Sequence, residues 1–454
     1  MPARSAHRAR ENLPGWLAAL ALAAAAGPAC AQPTPSGPDF QVNTYTSGYQ
    51  QFASVSADAR GEFVVTWDST GSQGNDNDGT SVQSQRFAAD TTPLGPEIQV
   101  DTYVTGNQSL PAVATTAGAG FVVTWTSDGS PENDGSGFSI QARRFAGDGS
   151  PLGDQFQVNA YTTGHQFLAS VAANGSGGFV IAWQGTASPG SDDDQGSVQA
   201  RRFDSAGAPL GPEVQVNTYT TGNQGSVDVD SDVQGRFVVV WSSGASAGTD
   251  TDQESIHARR YASDGSPLDD EFQVNELTTG PQSDPGVAVA ADGSFLVAWT
   301  HEGFAPTDFG YSIRARRYGA DGLPIGPEFQ VNSYSTGFQF GPSVAYGAGE
   351  FLVSWTGTQS PGNDHSDTSI QARRFTGDGT PLTDDFQVNT FAPSTQRRPD
   401  CTIDGSGGFV VTWQSLGSAG TDTSAASVQA RRWDDPFVDG FESGDTSRWS
   451  STSP

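Results

Sequence analysis

The sequence predicts an all-β protein, a single seven-bladed β-propeller with four-stranded blades. A motif of the form apolar-Gln-Val-Asn/Asp recurs seven times at steps of about 58 residues. Two further motifs share this period, one ending in Trp and one in an aromatic residue after Arg-Arg, and Gly, Asp, Asn and Pro lie between them. A sheet of four short strands cannot bury both of its faces, whereas a ring of such sheets does. The first motif begins at Phe40, Ile98, Phe156, Val214, Phe272, Phe329 and Phe386.

The order of the motifs predicts how the ring closes. We call the strands of a blade a to d, from the centre outwards. Examples in the sequence are Pro342–Tyr346 for strand a, Phe179–Trp183 for strand b and Ser197–Phe203 for strand c. The first strand of the chain, Phe40–Asn43, is a d strand, and the last, Ser427–Trp433, is a c strand. We therefore expect the N-terminal outer strand to complete the seventh blade. The alternative, a linear solenoid, needs polar caps at both ends, and the sequence has none.

The two ends of the chain differ from the repeats. Arg-rich residues precede the apolar run Trp16–Ala26, which is too short to span a bilayer, and Ala29-Cys30-Ala31 then offers a cleavage site. We expect an exported protein without a membrane span, extracellular or at the cell surface, with the periplasm as the alternative. The expected divisions are a signal peptide (1–31), a linker (32–37), the propeller (38–433) and a C-terminal tail (434–454).

Charge excludes two classes of partner. The chain has 51 acidic and 22 basic residues, a net charge of −29, and no lysine. Nucleic acids and anionic lipid surfaces both require a basic face, so neither is an expected partner. We expect a monomer whose partner is an unknown protein or a glycan. After cleavage Cys401 is the remaining cysteine, and it aligns with Val171, so we expect a buried apolar side chain.

The repeats resemble a repeated unit of large secreted proteins from proteobacteria and cyanobacteria. The resemblance is carried by Phe156–Gln166, Gly178–Trp183 and Ser197–Glu213 and extends over most of the chain. It implies β-propeller blades and an extracytoplasmic location, often beside calcium-binding repeats, and it implies no enzymatic activity. The tail sequence DPFVDGFESGDTSRWS is similar to a short C-terminal motif on exported bacterial proteins.

One face of the predicted ring collects acidic residues. In a propeller the b–c and d–a loops share a face, and here the b–c loops are rich in Asp, Asn and Gly. Such loops suit Ca²⁺, which takes six to eight oxygen ligands, but the EF-hand pattern is not met. Solvated turns in which Asp and Asn bond their own backbone are the alternative. The candidate calcium ligands are Asp76, Asp78, Asp192, Asp194, Asp250, Asp252, Asp364 and Asp367.

A glutamine recurs in all seven d–a loops, just before strand a. These amides either form a ligand-binding ring at the channel mouth or tie each turn to a neighbouring blade. The seven Trp that close strand b and the Arg pairs of strand c are expected to pack between blades. The glutamines are Gln50, Gln108, Gln166, Gln224, Gln282, Gln339 and Gln396.

Departures from the repeat give the remaining candidates for binding. In blade 5 the acidic loop is replaced by a segment with Phe304, Phe309 and Tyr311, which predicts an exposed contact patch. In the turn that enters blade 7, Arg397 and Arg398 predict a local anion site on an acidic face. Ordinary sequence drift is the alternative for both.

These features favour a non-catalytic binding or surface-interaction module, stabilised by calcium if the acidic loops bind it. The rival interpretations are a secreted polysaccharide hydrolase or lyase and a structural, adhesin-like spacer. No nucleophile elbow, zinc-protease helix or phosphate loop is present in the sequence. Acid pairs from distant blades keep glycoside cleavage open.

Overall fold

The computed structural model confirms the predicted propeller, with seven four-stranded antiparallel sheets. It describes residues 32–434 apart from 73, 77, 130–133, 136, 188–189, 193–194, 246–247, 251–252, 306–307, 335, 360–361, 363, 365–366, 419 and 423–424. The predicted signal peptide and nearly all of the predicted tail lie outside the described residues. Nothing in the described part of the chain forms a helix with the length and apolar character needed to cross a bilayer.

Each blade runs from an inner strand a to an outer strand d. Strands a are Gln50–Ala57 (β2), Gln108–Thr115 (β6), Gln166–Ala173 (β10), Gln224–Ser231 (β14), Gln282–Val289 (β18), Gln339–Gly347 (β22) and Gln396–Ile403 (β26). Strands b are Phe63–Thr70 (β3), Phe121–Asp128 (β7), Phe179–Gly185 (β11), Phe237–Ser243 (β15), Phe295–Ala305 (β19), Glu350–Thr358 (β23) and Phe409–Leu416 (β27).

The two outer strands of each blade are of unequal length. Strands c are Thr80–Phe87 (β4), Phe138–Phe145 (β8), Ser197–Phe203 (β12), Ser255–Tyr261 (β16), Asp308–Tyr318 (β20), Thr368–Thr376 (β24) and Ala426–Trp433 (β28). Strands d have two residues each: Phe40–Gln41 (β1), Ile98–Gln99 (β5), Phe156–Gln157 (β9), Val214–Gln215 (β13), Phe272–Gln273 (β17), Phe329–Gln330 (β21) and Phe386–Gln387 (β25).

The core lies between neighbouring blades. Strands b are buried over nearly their whole length, and the Trp that closes each of them is fully buried. One cluster joins Val180 and Val198 of blade 3 to Val229, Phe237 and Trp241 of blade 4. Burying a large apolar side chain contributes about 1.5–3 kcal/mol, so each blade is stabilised mainly by its neighbours.

The first strand closes the ring, as the motif order predicted. β1 pairs with β28 in the order β1-β28-β27-β26, with Phe40 opposite Ala430. The amide of Val42 then donates to the carbonyl of Val428 at 2.9 Å, and the Val42 side chain is buried. The seventh blade is therefore built from both ends of the repeat region.

The arginine pairs of strand c bond the backbone of both neighbouring blades. Arg201 lies over the Phe203 ring, 5.7 Å from its centroid, and donates from Nη1 to the carbonyl of Val158 at 2.8 Å, reaching the preceding blade. The second arginine reaches the following blade, as Arg144 does to the carbonyl of Ala206. Packing between blades was predicted, but these main-chain bonds between blades were not.

Candidate functional site

The inner strands surround a central channel of about 730 Å³. Its wall consists mainly of Val, Ala, Ser and Thr from the fourth or fifth residue of each strand a onwards. Four acids also line it, Asp228, Asp230 and Asp232 of blade 4 and Asp400 of blade 7. Apart from these carboxylates, the channel wall therefore offers mainly small apolar and hydroxyl side chains.

The channel acids link adjacent inner strands. Asp228 accepts from Ser170 Oγ at 2.7 Å and from the amide of Val287 at 2.9 Å, so it bridges the blades on both sides. Asp400 makes the same kind of bridge to Ser343 and to the amide of Val55. Burial raises the pKa of Asp228 to about 6, because desolvation outweighs these hydrogen bonds. The carboxylates therefore bond main-chain amides that face a neighbouring blade.

The seven repeated glutamines begin the inner strands rather than precede them, and all are buried. Gln50 Nε2 donates to the carbonyl of Ser47 at 3.0 Å, and Gln224 makes the matching bond to Thr221. Two of the amides also accept from a buried tryptophan, as Gln339 does from Trp355 Nε1 at 3.0 Å. Gln282 Oε1 also accepts from Asn275 of the preceding blade at 2.9 Å. This placement favours the structural alternative, in which the amide ties the d–a turn to a neighbouring blade, and it adds bonds within the same blade.

A second set of seven residues, two positions after each glutamine, surrounds the channel mouth. Each lies in a β-bulge with φ between 50° and 61°, the left-handed region, just before the first channel-lining residue. The backbone repeats but the side chains do not, and they change from apolar to polar to charged around the ring. We call this set the mouth ring: Phe52, Leu110, Leu168, Ser226, Asp284, Gly341 and Arg398.

The structure places Arg398 in the mouth ring, and Arg397 precedes it in strand a. Arg398 lies on the Phe52 ring of blade 1, 3.9 Å from its centroid, and Nη1 donates to Gln414 Oε1 at 3.4 Å. Burial and the adjacent Arg397 lower the pKa of Arg398, and Asp68 partly offsets this. Asp68 itself is buried, which raises its pKa to about 7. Positive charge is thus concentrated where blades 7 and 1 meet.

Arg397 stands apart from the other arginines. Its Nε is buried and has no hydrogen-bond acceptor. Each of the other arginines between residues 32 and 434 has an ion pair or a hydrogen bond to an acceptor. The Arg397 guanidinium therefore has no acceptor among the described residues, and anion binding at this place stays a prediction.

The acidic b–c loops are tied to strand d by a repeated side-chain pair. Asp192 Oδ2 accepts from Asn217 Nδ2 at 2.6 Å, and Asp250 and Asp364 accept from their asparagines at 2.7 and 2.9 Å. The described residues contain no group of three or more His, Cys, Asp or Glu side chains that could hold a metal. Asp194 and Asp252 lie outside the described residues, so calcium binding stays a prediction.

Blade 1 breaks this pattern, because Asp101 stands where five other blades have the paired asparagine. Its Oδ1 accepts from the amide of Val82 at 2.6 Å, as the asparagines do, so its Oδ2 takes the place of their amide nitrogen. The facing oxygen, Asp76 Oδ2, is buried and has no partner, while Asp76 Oδ1 accepts from the amide of Asp78. Burial raises the pKa of Asp101 to about 7 and also raises that of Asp76. Asp78 Oδ2 accepts from the amide of Gly106 at 3.3 Å, and Asp367 accepts from Thr395 Oγ1.

The blade 5 segment is a β-hairpin rather than the irregular loop expected. β19 and β20 continue past the length of other strands, with Phe304 paired to Phe309 in the backbone register. The side chains of both lie outside the described residues. Tyr311 packs against Phe338, 5.4 Å between ring centroids, and Phe338 is 48% exposed. An aromatic pair is thus present here, with Phe338 as a member that the repeat pattern did not single out.

The opposite face carries short c–d turns that repeat almost unchanged. Those of blades 2 to 5 place an aliphatic side chain in solvent, with Leu152 52% and Leu210 53% exposed. These residues lie outside the strands and do not line the channel. The variation in side-chain chemistry is therefore concentrated on the face that carries the b–c and d–a loops.

No protein-family model matches the chain, and no curated protein matches it. Solved structures do. A protein of unknown function from Dyadobacter fermentans DSM 18053 matches with a TM-score of 0.51 and 10% identity, over 89% of this chain and 98% of its own. An α-L-arabinanase from Penicillium chrysogenum, complexed with arabinobiose, matches with a TM-score of 0.46 and 13% identity, over 90% and 99%. The polysaccharide lyase Uly1 matches with 0.46 and 12%, over 83% and 90%. Likeness at this identity concerns the fold alone, and scores below 0.5 carry no argument about activity.

Proposed function

We propose that this protein is a secreted, non-catalytic binding module that takes a partner protein or a glycan at its mouth ring. One observation carries the proposal: the mouth ring differs from blade to blade, while its backbone and the turns of the opposite face repeat. Variable side chains on a rigid, repeated scaffold are the usual arrangement of a binding surface. Extracellular or cell-surface placement, with the periplasm as the alternative, follows from the predicted signal peptide.

A pair of matched variants tests this proposal. Panels of soluble polysaccharides and synthetic peptides are screened for binding to the wild-type protein, and each ligand found is titrated against Leu168→Ser and Leu210→Ser. Both replace an exposed leucine, the first in the mouth ring and the second on the opposite face. We expect Leu168→Ser to weaken binding at least about tenfold, typical of a contact worth over 1 kcal/mol, and Leu210→Ser to leave it unchanged. Equal effects, or a loss confined to Leu210→Ser, would place the site elsewhere.

The aromatic hairpin of blade 5 is a second contact region in this proposal. Replacing Phe304, Phe309 and Tyr311 together by Ser is expected to weaken binding of the same ligands without changing the melting temperature. Unchanged affinity would remove the hairpin from the proposed surface.

The rival interpretations have their own readouts in the same screen. Release of reducing ends, or of unsaturated products absorbing in the ultraviolet, from any polysaccharide would support a secreted hydrolase or lyase and contradict a non-catalytic role. Absence of binding across both panels would favour a structural or adhesin-like spacer.

A further inference from the structure

The mouth ring has one sector in which charge and apolar surface lie side by side. We call Arg397 and Arg398 the arginine pair, and Phe52, Leu110 and Leu168 the apolar arc. They come from blades 7, 1, 2 and 3, which are consecutive around the ring. The contact of Arg398 with Phe52 shows that the pair and the arc touch.

The arginine pair has few acidic partners, although the protein as a whole is strongly acidic. Two guanidinium groups are adjacent in sequence, and burial together with the charge of Arg397 lowers the pKa of Arg398. Of the two, Arg397 has no acceptor or ion pair within the described residues, and its buried Nε lacks a partner. The nearby acid, Asp68, is buried, and one of its oxygens accepts a hydrogen bond from the amide of Leu110. A carboxylate fits this place, because a guanidinium offers it paired N–H donors.

The rest of the molecule restricts which anions can reach the arginine pair. The net charge of −29 repels a polyanion over long distances. A ligand with a single negative group meets much less repulsion and can still contact the pair. The apolar arc adds surface for a hydrophobic body, since Leu168 is 37% exposed at the channel mouth. Asp284, on the far side of the ring, disfavours a second anionic group there.

We propose, building on the binding role above, that this sector binds a ligand with one carboxylate attached to an apolar body. The carboxylate lies against the arginine pair, and the body lies on the apolar arc. Two sources have this chemistry, the C-terminal residue of a peptide and a free aromatic or aliphatic acid.

Calorimetric titration with three probes tests the proposal and separates the sources. The probes are acetyl-Gly-Gly-Phe with a free carboxylate, its C-terminal amide, and 3-phenylpropanoate, with polygalacturonate as a polyanion. We expect the free-acid peptide to bind at least tenfold more tightly than its amide. Tighter binding of the peptide than of 3-phenylpropanoate assigns the site to a peptide end, and the reverse assigns it to a free acid. Equal binding of the amide, or preference for polygalacturonate, would overturn the proposal.

Two variants with the same change in charge locate the contact. Arg397→Gln removes one guanidinium of the pair, and Arg60→Gln removes an exposed arginine on the opposite face, where it is bound to Asp58. We expect at least a tenfold loss for Arg397→Gln and no loss for Arg60→Gln. Equal loss in both would reduce the effect to net charge and refute the site. If Leu168→Ser weakens binding of a screened partner and Arg397→Gln does not, the binding role stands and the carboxylate site falls.

Discussion

Replacing Asp101 by Asn is expected to stabilise the protein above neutral pH. In five blades an asparagine donates to the loop aspartate, but in blade 1 two carboxylates face each other in the same buried place. A protonated Asp101 has the shape of Asn and can donate to Asp76 as the asparagines do. Once Asp101 is ionised, no proton lies between the two carboxylates, and two negative charges face each other out of water. Asn restores the donor at every pH.

The size of the effect follows from the pKa of Asp101, which burial raises from 3.8 to about 7. A tenfold change in proton affinity corresponds to about 1.4 kcal/mol, so ionisation of the folded protein costs up to about 4 kcal/mol. Since the folded state binds this proton more tightly than the unfolded state, the contribution of Asp101 to stability is greatest at low pH. It then falls as pH rises from about 4 to about 7. We expect Asp101→Asn to gain about 2–4 kcal/mol at pH 8 and almost nothing at pH 4.

Urea unfolding at pH 4 and pH 8, followed by tryptophan fluorescence, measures this difference directly. Asn217→Asp is the reciprocal control, since it introduces the same carboxylate pair opposite Asp192. It should destabilise the protein at pH 8 and much less at pH 4. A gain for Asp101→Asn that is the same at both pH values would refute the shared-proton argument. So would no gain at pH 8.

Three further predictions concern the ring as a whole. Deleting residues 38–44 should lower stability by about 5 kcal/mol and promote association, since it removes the buried Val42, several hydrogen bonds and the cover of a strand edge; calorimetry and gel filtration measure both. Millimolar CaCl₂ should raise the melting temperature beyond NaCl of equal ionic strength, with Mg²⁺ less effective, if the acidic loops bind calcium; an equal effect of NaCl would contradict this. Asp404→Asn should cost about 2 kcal/mol in urea unfolding at pH 7, because it removes the carboxylate to which Arg432 donates at 2.6 Å within the core and leaves Arg432 with Asp434 and the carbonyl of Gly61; an unchanged midpoint would contradict it.

The sequence predicted the ring and its closure because both depend on repetition. Phe40–Asn43 matched six later d strands and had no preceding strands, so pairing with the last c strand was the one arrangement that left no strand over. Strand lengths were less predictable. Strand d has two paired residues, since the amide of Val428 in the last strand c donates to Asn43 Oδ1 rather than to a carbonyl of strand d. Strand propensity does not predict where a side chain replaces a main-chain hydrogen bond between strands.

The candidate site was predictable only where its residues break the repeat. Arg397 and Arg398 stood out in the sequence, and the structure places Arg398 in the mouth ring with Arg397 beside it in strand a. Phe52 and Leu168 did not, because the bulge that turns them to the mouth needs a left-handed backbone at residues with no preference for it. Comparing the second residue after each repeated glutamine would have found them. The same comparison at strand d would have found Asp101 among the asparagines.

Closure by the first strand also sets an order of events for folding. Phe40 and Ala430 are among the most distant partners in the chain, whereas every other blade forms from residues close in sequence. Six blades can assemble in turn as the chain is made, but the first strand must wait for β28 before it has a partner. Contacts at such separation form late and slowly, and their absence leaves a partly built ring with an open edge. The junction of the two ends is therefore the step at which a nearly complete molecule is most exposed to pairing with another copy of itself.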